Sequence, residues 1–193
     1  WVMALQQALE GQPVRLILCA YSPAVSETQR REIGGAVYLA LPAAGGKDAL
    51  QAALAAEQPD LVQIFGTEND HAVWALESFA PQKTLLYIQG LAGPCGEHMA
   101  DGLPPHFLRR QRLKEHLAAK TGGATVRQLR ESLLEKGEAE KKAFLLAQNL
   151  LGRTEWDKAF AASVNPSARY YRLNEILRPA FYQGGWQRDA LRR

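Results

Sequence analysis

The chain has 193 residues, 47% of them hydrophobic and 22% charged, and a formal net charge of +3. These values are typical of a globular domain and exclude a disordered chain, and so small a charge does not by itself indicate nucleic-acid binding. Two cysteines, Cys19 and Cys95, are too few for a disulfide framework and fit a reducing compartment. With no apolar run near the ~18 residues of a membrane helix and no signal-peptide pattern, we expect a cytoplasmic protein.

Short apolar runs alternate with helical patterns along the chain. The predicted strands are Val14–Ala20, Ala36–Leu41, Leu61–Phe65, Thr84–Ile88, Asn149–Leu151 and Ala168–Leu173. The main predicted helices cover residues 1–9, 47–57, 69–79, 156–164 and 175–182. Short apolar runs without strict alternation mark strands buried on both faces, as in parallel sheets covered by helices. The order therefore predicts an α/β class: a doubly wound, mostly parallel, Rossmann-like sheet.

One long interval interrupts this rhythm. About sixty residues between Gln89 and Gln148 contain no strand candidate, which is more than one crossover needs. The interval opens with a glycine-rich loop, GLAGPCG (residues 90–96), and continues as helical patterns at residues 104–120, 126–134 and 139–147. We therefore expect a helical excursion over residues 91–147 after the fourth strand.

Polar and small residues follow the predicted strands. In open parallel sheets ligands bind beyond the carboxyl ends of the strands. The residues at those ends are Gly66, Thr67, Glu68, Gln89, Gly90, Arg153, Thr154, Asn174 and Glu175. Thr154 and Asn174 are equally well explained as helix caps. Glu68, Gln89 and Arg153 are harder to explain structurally, because charged or amide groups near a sheet centre need partners when they are desolvated.

A basic stretch lies within the helical excursion. Residues 107–130 hold seven Lys and Arg residues and one acidic residue, Glu115. This pattern is either a solvated helix face or a surface for phosphate or anionic lipid headgroups, formed by Arg109, Arg110, Arg112 and Lys114. Nucleic-acid binding is disfavoured, because stacking aromatic residues are scarce in this stretch.

The common cofactor motifs are missing. The sequence contains neither GxxxxGK[ST] nor GxGxxG. Cys95 and His98 have metal-ligand spacing, but no second pair accompanies them. We therefore expect no bound cofactor and no metal site.

Four segments resemble a known enzyme family. They are PDLVQIFGTE (Pro59–Glu68), LLYIQGL (Leu85–Leu91), LLGRTEWDKA (Leu150–Ala159) and NEILRPAFY (Asn174–Tyr182). In this order and at these intervals they resemble a bacterial branch of the family 4 glycosyltransferases, which are retaining enzymes of the GT-B fold. The resemblance implies that residues 1–193 are one N-terminal, acceptor-side domain. Its interdomain linker would start near residues 183–193, and a first strand and glycine-rich turn would precede Trp1.

The resemblance also implies an activity and a division of roles. The domain would bind a glycan or lipid-linked acceptor, while a C-terminal domain with two glutamates seven residues apart would bind the nucleotide-sugar donor. The 193-residue chain would then be inactive alone. Many family members carry a histidine where Gln89 stands, and glutamine cannot shuttle a proton, so Gln89 would orient substrates. Glu68 would hold an acceptor hydroxyl, and Arg153 would face the acceptor or the donor phosphates.

The remaining residues at the strand ends would contact substrate: Gly66, Thr67, Gly90, Thr154, Asn174 and Glu175. The basic stretch would receive a lipid-pyrophosphate acceptor at the inner face of the membrane. Two other interpretations remain open. One is a non-catalytic Rossmann-like module that binds a sugar or phosphate. The other is a different α/β enzyme, such as an epimerase or reductase, against which the missing GxGxxG counts.

Overall fold

The computed structural model describes residues 2–104, 106–107 and 124–174. The chain divides into two compact units, one built on the residues up to Gly46 and the other on Lys47–Leu173. The described elements are α1 (Val2–Leu9), β1 (Ile17–Ser22), β2 (Gln29–Ile33), β3 (Ala36–Pro42), α2 (Gly46–Glu57), β4 (Val62–Phe65), α3 (Asp70–Ser78), a 3-10 turn (Pro81–Lys83), β5 (Thr84–Tyr87), α4 (Ala92–His98), α5 (Val126–Leu146), β6 (Asn149–Gly152), α6 (Glu155–Val164) and β7 (Arg169–Arg172). Among these residues no helix has the length and apolarity to cross a membrane.

The first unit contains a three-stranded sheet in the order β1-β3-β2. β1 runs parallel to β3, whereas β2 is antiparallel to it and was not predicted. All five residues of β2 are exposed, so this strand has no apolar pattern. Gly34 and Gly35 link β2 to β3 with φ of 58° and 78°. Such a two-residue hairpin turn needs positive φ at both positions, which glycine adopts without strain.

The second unit contains four parallel strands in the order β4-β5-β6-β7. Parallel neighbours need crossover connections, and α3, α5 and α6 lie in the three connections. The predicted α/β class with a parallel sheet and helices is therefore confirmed. β5 begins at Thr84, as predicted, and β4 ends at Phe65, as predicted. The doubly wound arrangement and the single domain over residues 1–193 stay predictions.

A buried apolar cluster joins the sheet of the second unit to its helices. It includes Ile64, Leu86, Ile88 and Leu150 from the strands and their exits, with Ala72, Leu76, Ala143, Phe144 and Ala161 from the helices. The rings of Phe144 and Phe160 meet edge to face, 5.5 Å apart. Full burial of a side chain such as Phe144 contributes about 1.5–3 kcal/mol, so the cluster holds the strand ends at fixed positions.

The helical excursion differs in detail from its prediction. The expected loop at residues 90–96 is helical from Ala92 onward, because Pro94 lies in the first turn, where a missing N–H is tolerated. The two predicted helices at 126–134 and 139–147 form one 21-residue helix, α5. Its Gly137 lies against Gly93, and a Cβ on Gly137 would lie 2.7 Å from the Cα of Gly93. Glycine is therefore used here for a close helix contact rather than for a break.

Some predictions fall outside the described residues. These are the basic residues Arg109, Arg110, Arg112 and Lys114, the position Glu175, the helix at 175–182 and the linker start at 183–193. In the described part of residues 91–147, α4 and α5 are present, residues 106–107 are helical and no strand is found.

Candidate functional site

After β4 the chain makes a tight turn, and the carboxyl group of Glu68, a residue of that turn, covers it. Gly66 is buried and has φ of 84°, a conformation that favours glycine. The backbone N–H of Thr67 donates to Oε2 of Glu68 over 2.9 Å. A Cβ at Gly66 would lie 2.9 Å from the same oxygen, so the Glu68 side chain occupies the space over the turn. Glycine is needed here for the backbone conformation, and the space left by its missing Cβ is used by the Glu68 carboxyl group.

The exit of β5 lies beside that turn. Gln89 and Gly90 are both exposed, directly after the buried Ile88. The Thr67 Oγ1 atom lies 3.4 Å from the Gly90 carbonyl oxygen, and Thr67 itself is fully buried. The structure therefore brings the predicted residues after β4 and β5 together through Thr67 and Gly90.

The exit of β6 reaches back to β5. The Arg153 guanidinium donates from Nη2 to the Gln89 carbonyl oxygen over 2.6 Å. The backbone N–H groups of Arg153 and Thr154 both donate to Asp157 Oδ2, each over 3.0 Å. The Thr154 hydroxyl accepts from the Asp157 N–H over 3.1 Å, which completes a capping box at the start of α6. Of the two interpretations of Thr154, helix capping is confirmed.

The exit of β7 contributes less to this group. Leu173 donates its N–H to the Gly152 carbonyl over 2.9 Å, and the Tyr170 hydroxyl donates to the Thr154 carbonyl over 3.1 Å. Burial, together with the nearby negative charge of Asp157, raises the pKa of the Tyr170 phenol. Asn174 is exposed and lies outside the second unit, and Glu175 lies outside the described residues. Neither joins the predicted residues of the other three exits in the described contacts.

Sequence reasoning missed Glu140, which lies on α5 and is 1% exposed. Its Oε1 accepts the Thr67 hydroxyl over 2.7 Å and the Ala92 N–H over 3.1 Å, and its Oε2 accepts the Gly93 N–H over 3.0 Å. One sequence signal was present. Gly137, Glu140 and Phe144 follow one another at spacings of three and four, which places Glu140 on the buried face of the helix.

The three exits present three different functional groups. Glu68 supplies a carboxyl group, Arg153 a guanidinium and Gln89 an exposed amide. A carboxyl group can accept from a hydroxyl, a guanidinium binds phosphate or carboxylate, and an amide only donates and accepts hydrogen bonds. Within the described ranges no three His, Cys, Asp or Glu residues are placed to bind a metal ion. The arrangement is suited to holding polar, hydroxyl-bearing or anionic ligands.

A pocket of about 500 Å³ lies in the first unit. Its lining includes Gln6, Glu10, Gly34 and Gly35, and no predicted site residue is among the lining residues. Gln6 donates from Nε2 to the Gly34 carbonyl over 2.6 Å, so the pocket wall is held by the hairpin turn. The described lining supplies one carboxyl group, from Glu10, and glutamine amides, but no guanidinium group.

Comparisons with known proteins assign no family to the chain. No protein-family model matches it, and no curated protein or solved structure is significantly similar to it. The resemblance to family 4 glycosyltransferases therefore rests on the four sequence segments alone.

Proposed function

We propose that the chain is the acceptor-side half of a retaining glycosyltransferase with a GT-B fold. In this proposal it holds a glycan or lipid-linked acceptor while a sugar moves from a nucleotide-sugar donor. The donor would be bound by a second, C-terminal domain. The chain by itself would bind acceptor without turnover.

The observation that carries the proposal is the contact between exits at the sheet edge. Arg153 binds the Gln89 carbonyl at 2.6 Å, and Thr67 lies 3.4 Å from the Gly90 carbonyl. Three successive parallel strands thus deliver their polar residues to one place, which is where open α/β sheets bind ligands. The same residues belong to three of the four segments that resemble the family.

The roles of the side chains follow from their chemistry. A retaining transfer builds positive charge on the donor sugar and negative charge on the leaving phosphate, and positioned groups that stabilise this charge speed the reaction. Glu68 would accept a hydrogen bond from an acceptor hydroxyl, and Arg153 would face phosphate oxygens. Gln89 would orient a substrate hydroxyl without exchanging a proton. The contribution of this domain to catalysis would then come mainly from positioning the acceptor and the donor.

The location and partners are part of the same proposal. A cytoplasmic enzyme at the inner face of the membrane would meet both a soluble nucleotide sugar and a lipid-linked acceptor. Arg109, Arg110, Arg112 and Lys114 would supply positive charge toward the acceptor pyrophosphate. Liposome co-sedimentation with anionic lipid at low salt tests this part, and absence of binding would remove it.

The first experiment reads the coding frame on both sides of the 193 residues. The proposal requires a downstream domain of about 150–200 residues with two glutamates seven residues apart. It also requires a strand and a glycine-rich turn upstream of Trp1. A stop codon shortly after Arg193 would leave only transfer with a partner subunit and would favour the non-catalytic binding module instead.

The second experiment measures sugar transfer by the complete protein. Nucleotide sugars are screened with glycan and lipid-linked acceptors, and Glu68→Gln and Arg153→Ala are each expected to lower kcat/KM at least tenfold. Glu138→Gln and Arg169→Ala are matched controls, because both residues are exposed, on α5 and on β7. Unchanged transfer in both site variants would remove these residues from the mechanism. Sugar binding without any transfer by the unmodified protein would support the binding module.

A further inference from the structure

Glu140 caps a helix that has no cap of its own. The N-cap position of α4 is Leu91, whose side chain has no hydrogen-bonding group to offer the first N–H groups of the helix. Those N–H groups, on Ala92 and Gly93, donate to the two oxygens of Glu140 over 3.1 and 3.0 Å. The cap therefore comes from α5, 47 and 48 residues further along the chain.

The same carboxyl group also holds the neighbouring strand exit. The Thr67 hydroxyl donates to Glu140 Oε1 over 2.7 Å, and Thr67 is the central residue of the turn after β4. Glu140 is 1% exposed and Thr67 is fully buried, so water does not compete for this bond. A buried polar group is costly unless it is fully hydrogen-bonded, and Glu140 has partners on both oxygens.

These contacts fix one exit relative to the other. Gln89 and Gly90 lie immediately before the capped residues, and Glu68 immediately follows Thr67. Moving the α4 end away from the β4 turn would break a bond to Glu140. Together with the backbone bond from the Gly66 N–H to the Tyr87 carbonyl, the buried Glu140 side chain thus holds the backbone at Glu68 and at Gln89 in a defined relative position.

We propose that Glu140 is a positioning residue for the acceptor, which holds the exits of β4 and β5 at the spacing that one acceptor hydroxyl group needs. This inference rests on the proposed function, because the ligand is the acceptor glycan of that reaction. Glu140 does not touch the acceptor itself. It acts through Thr67 on one side and through the Ala92 and Gly93 amides on the other.

The sharpest variant is Glu140→Gln, which keeps the side-chain shape. Its single carbonyl oxygen can serve only one of the two oxygen positions, so either Ala92 or Gly93 presents its N–H to an NH₂ group. In the complete protein, with its donor-binding domain, we expect the acceptor KM to rise about tenfold, the effect of losing one hydrogen bond of the stronger class. The donor KM and kcat should stay within twofold. Glu138→Gln, two residues away and exposed, should leave all three constants unchanged.

Amide hydrogen exchange by NMR tests the geometry independently of turnover. In Glu140→Gln the amide that faces the NH₂ group, Ala92 or Gly93, should exchange at least tenfold faster, while the Arg153 and Thr154 amides, which donate to Asp157, keep their rates. Should Glu140→Gln fail to fold, Thr67→Val removes the hydroxyl contact at nearly constant shape. Because the Thr67 side chain is fully buried and does not reach the acceptor, the same rise in the acceptor KM then reports on positioning.

The outcomes separate the two proposals. Transfer by the unmodified protein with an unchanged acceptor KM in both variants would overturn the role of Glu140 and leave the glycosyltransferase proposal standing. A fall in kcat alone, with both KM values unchanged, would indicate fewer folded molecules and would also overturn it. No transfer by the unmodified protein to any acceptor overturns the proposed function and the acceptor role together. Unchanged exchange at Ala92 and Gly93 would overturn the positioning geometry itself.

Discussion

In the second unit, two carboxyl groups accept backbone N–H groups that lie just after neighbouring strands. One carboxyl group is close to those N–H groups in the sequence, and the other is distant. Asp157 accepts the N–H groups of Arg153 and Thr154, four and three residues before it. Glu140 accepts the N–H groups of Ala92 and Gly93, which lie 48 and 47 residues before it. The local carboxyl group orders only its own helix start. The distant one also joins two strand exits and two helices, so more of the structure depends on it.

The largest expected effect is at the distant carboxyl group. Glu140→Ala leaves two backbone N–H groups and the Thr67 hydroxyl without their acceptor in a buried place. We expect the free energy of unfolding to fall by about 3 kcal/mol. Urea unfolding followed by circular dichroism measures this. A loss below that of the local cap variant described below would contradict the difference between the two carboxyl groups.

The close contact between α4 and α5 gives the next effect. In Gly137→Ala the new methyl group would lie 2.7 Å from the Gly93 Cα, and backbone cannot move aside cheaply. Because the clash is with backbone, we expect the overpacking cost at the upper end of its range, about 3 kcal/mol. The helix-propensity gain of about 1 kcal/mol offsets part of it, which leaves a net loss of about 2 kcal/mol in the free energy of unfolding.

The matched control for this variant is Ser132→Ala, which is exposed on the same helix. It should change the free energy of unfolding by less than about 0.5 kcal/mol in the same urea experiment. If Gly137→Ala were as stable as the control, the contact with Gly93 would have room for a methyl group. The distant cap would then not depend on close packing of the two helices.

The local cap gives a smaller effect. Thr154→Ala removes the hydroxyl that accepts the Asp157 N–H, and we expect a loss of about 1 kcal/mol in the free energy of unfolding. Thr154→Ser keeps the hydroxyl and should restore most of that loss. Thermal unfolding of the three proteins at one pH gives the comparison. Equal stability of the Ala and Ser variants would show that the α6 start depends on Asp157 alone.

The smallest effect is expected at Glu77, an exposed carboxyl group whose two lysine partners are distant in the sequence. Hydrogen bonds from Lys142 and Lys47, at 2.7 and 2.8 Å, lower the pKa of Glu77 to about 2. A lowered pKa stabilises the fold above the ordinary value of 4.5, and that contribution disappears as the pH falls from 4.5 toward 2. Since the Glu77 side chain is 29% exposed, water and salt screen the pairs.

The measurement compares the melting temperatures of the unmodified chain and Glu77→Gln. The unmodified chain should melt at the higher temperature at pH 6, and the difference should shrink as the pH is lowered from 4.5 to 2. Added salt should reduce the difference at pH 6, because exposed pairs are screened. A difference that grows toward pH 2 would reverse the expected sign.

The strands that sequence reasoning found and the one it missed differ in a physical respect. Thr84–Tyr87 and Asn149–Gly152 are apolar and largely buried, so their composition marks them. Gln29–Ile33 is exposed throughout and is held by pairing with β3. Only the Gly34–Gly35 turn signals it, since a glycine pair joins hairpin strands at positive φ. Burial is readable from composition, whereas a pairing partner is not.

The site residues also divide into those that were found from the sequence and those that were missed. Gly66, Thr67, Gln89 and Arg153 were placed by the rule that strand exits of a parallel sheet share one edge, and the structure joins their exits. The predicted loop at residues 90–96 was wrong because its glycines were interpreted as a loop, whereas they pack against a helix that is distant in the sequence. Glu140 lay within a predicted helix and was missed because its hydrogen-bond partners are distant in the sequence.

The sequence by itself determined the alternation of strands and helices and offered Thr154 as a helix cap, because both depend on residues that are close along the chain. Its unbroken apolar strands indicated a parallel sheet, but not which strands pair. The tertiary structure alone decided that Glu140 caps α4 and holds Thr67, and that Gly93 and Gly137 touch. These contacts join residues more than forty positions apart. Their partners are selected by the packing of the whole unit, which no local pattern records.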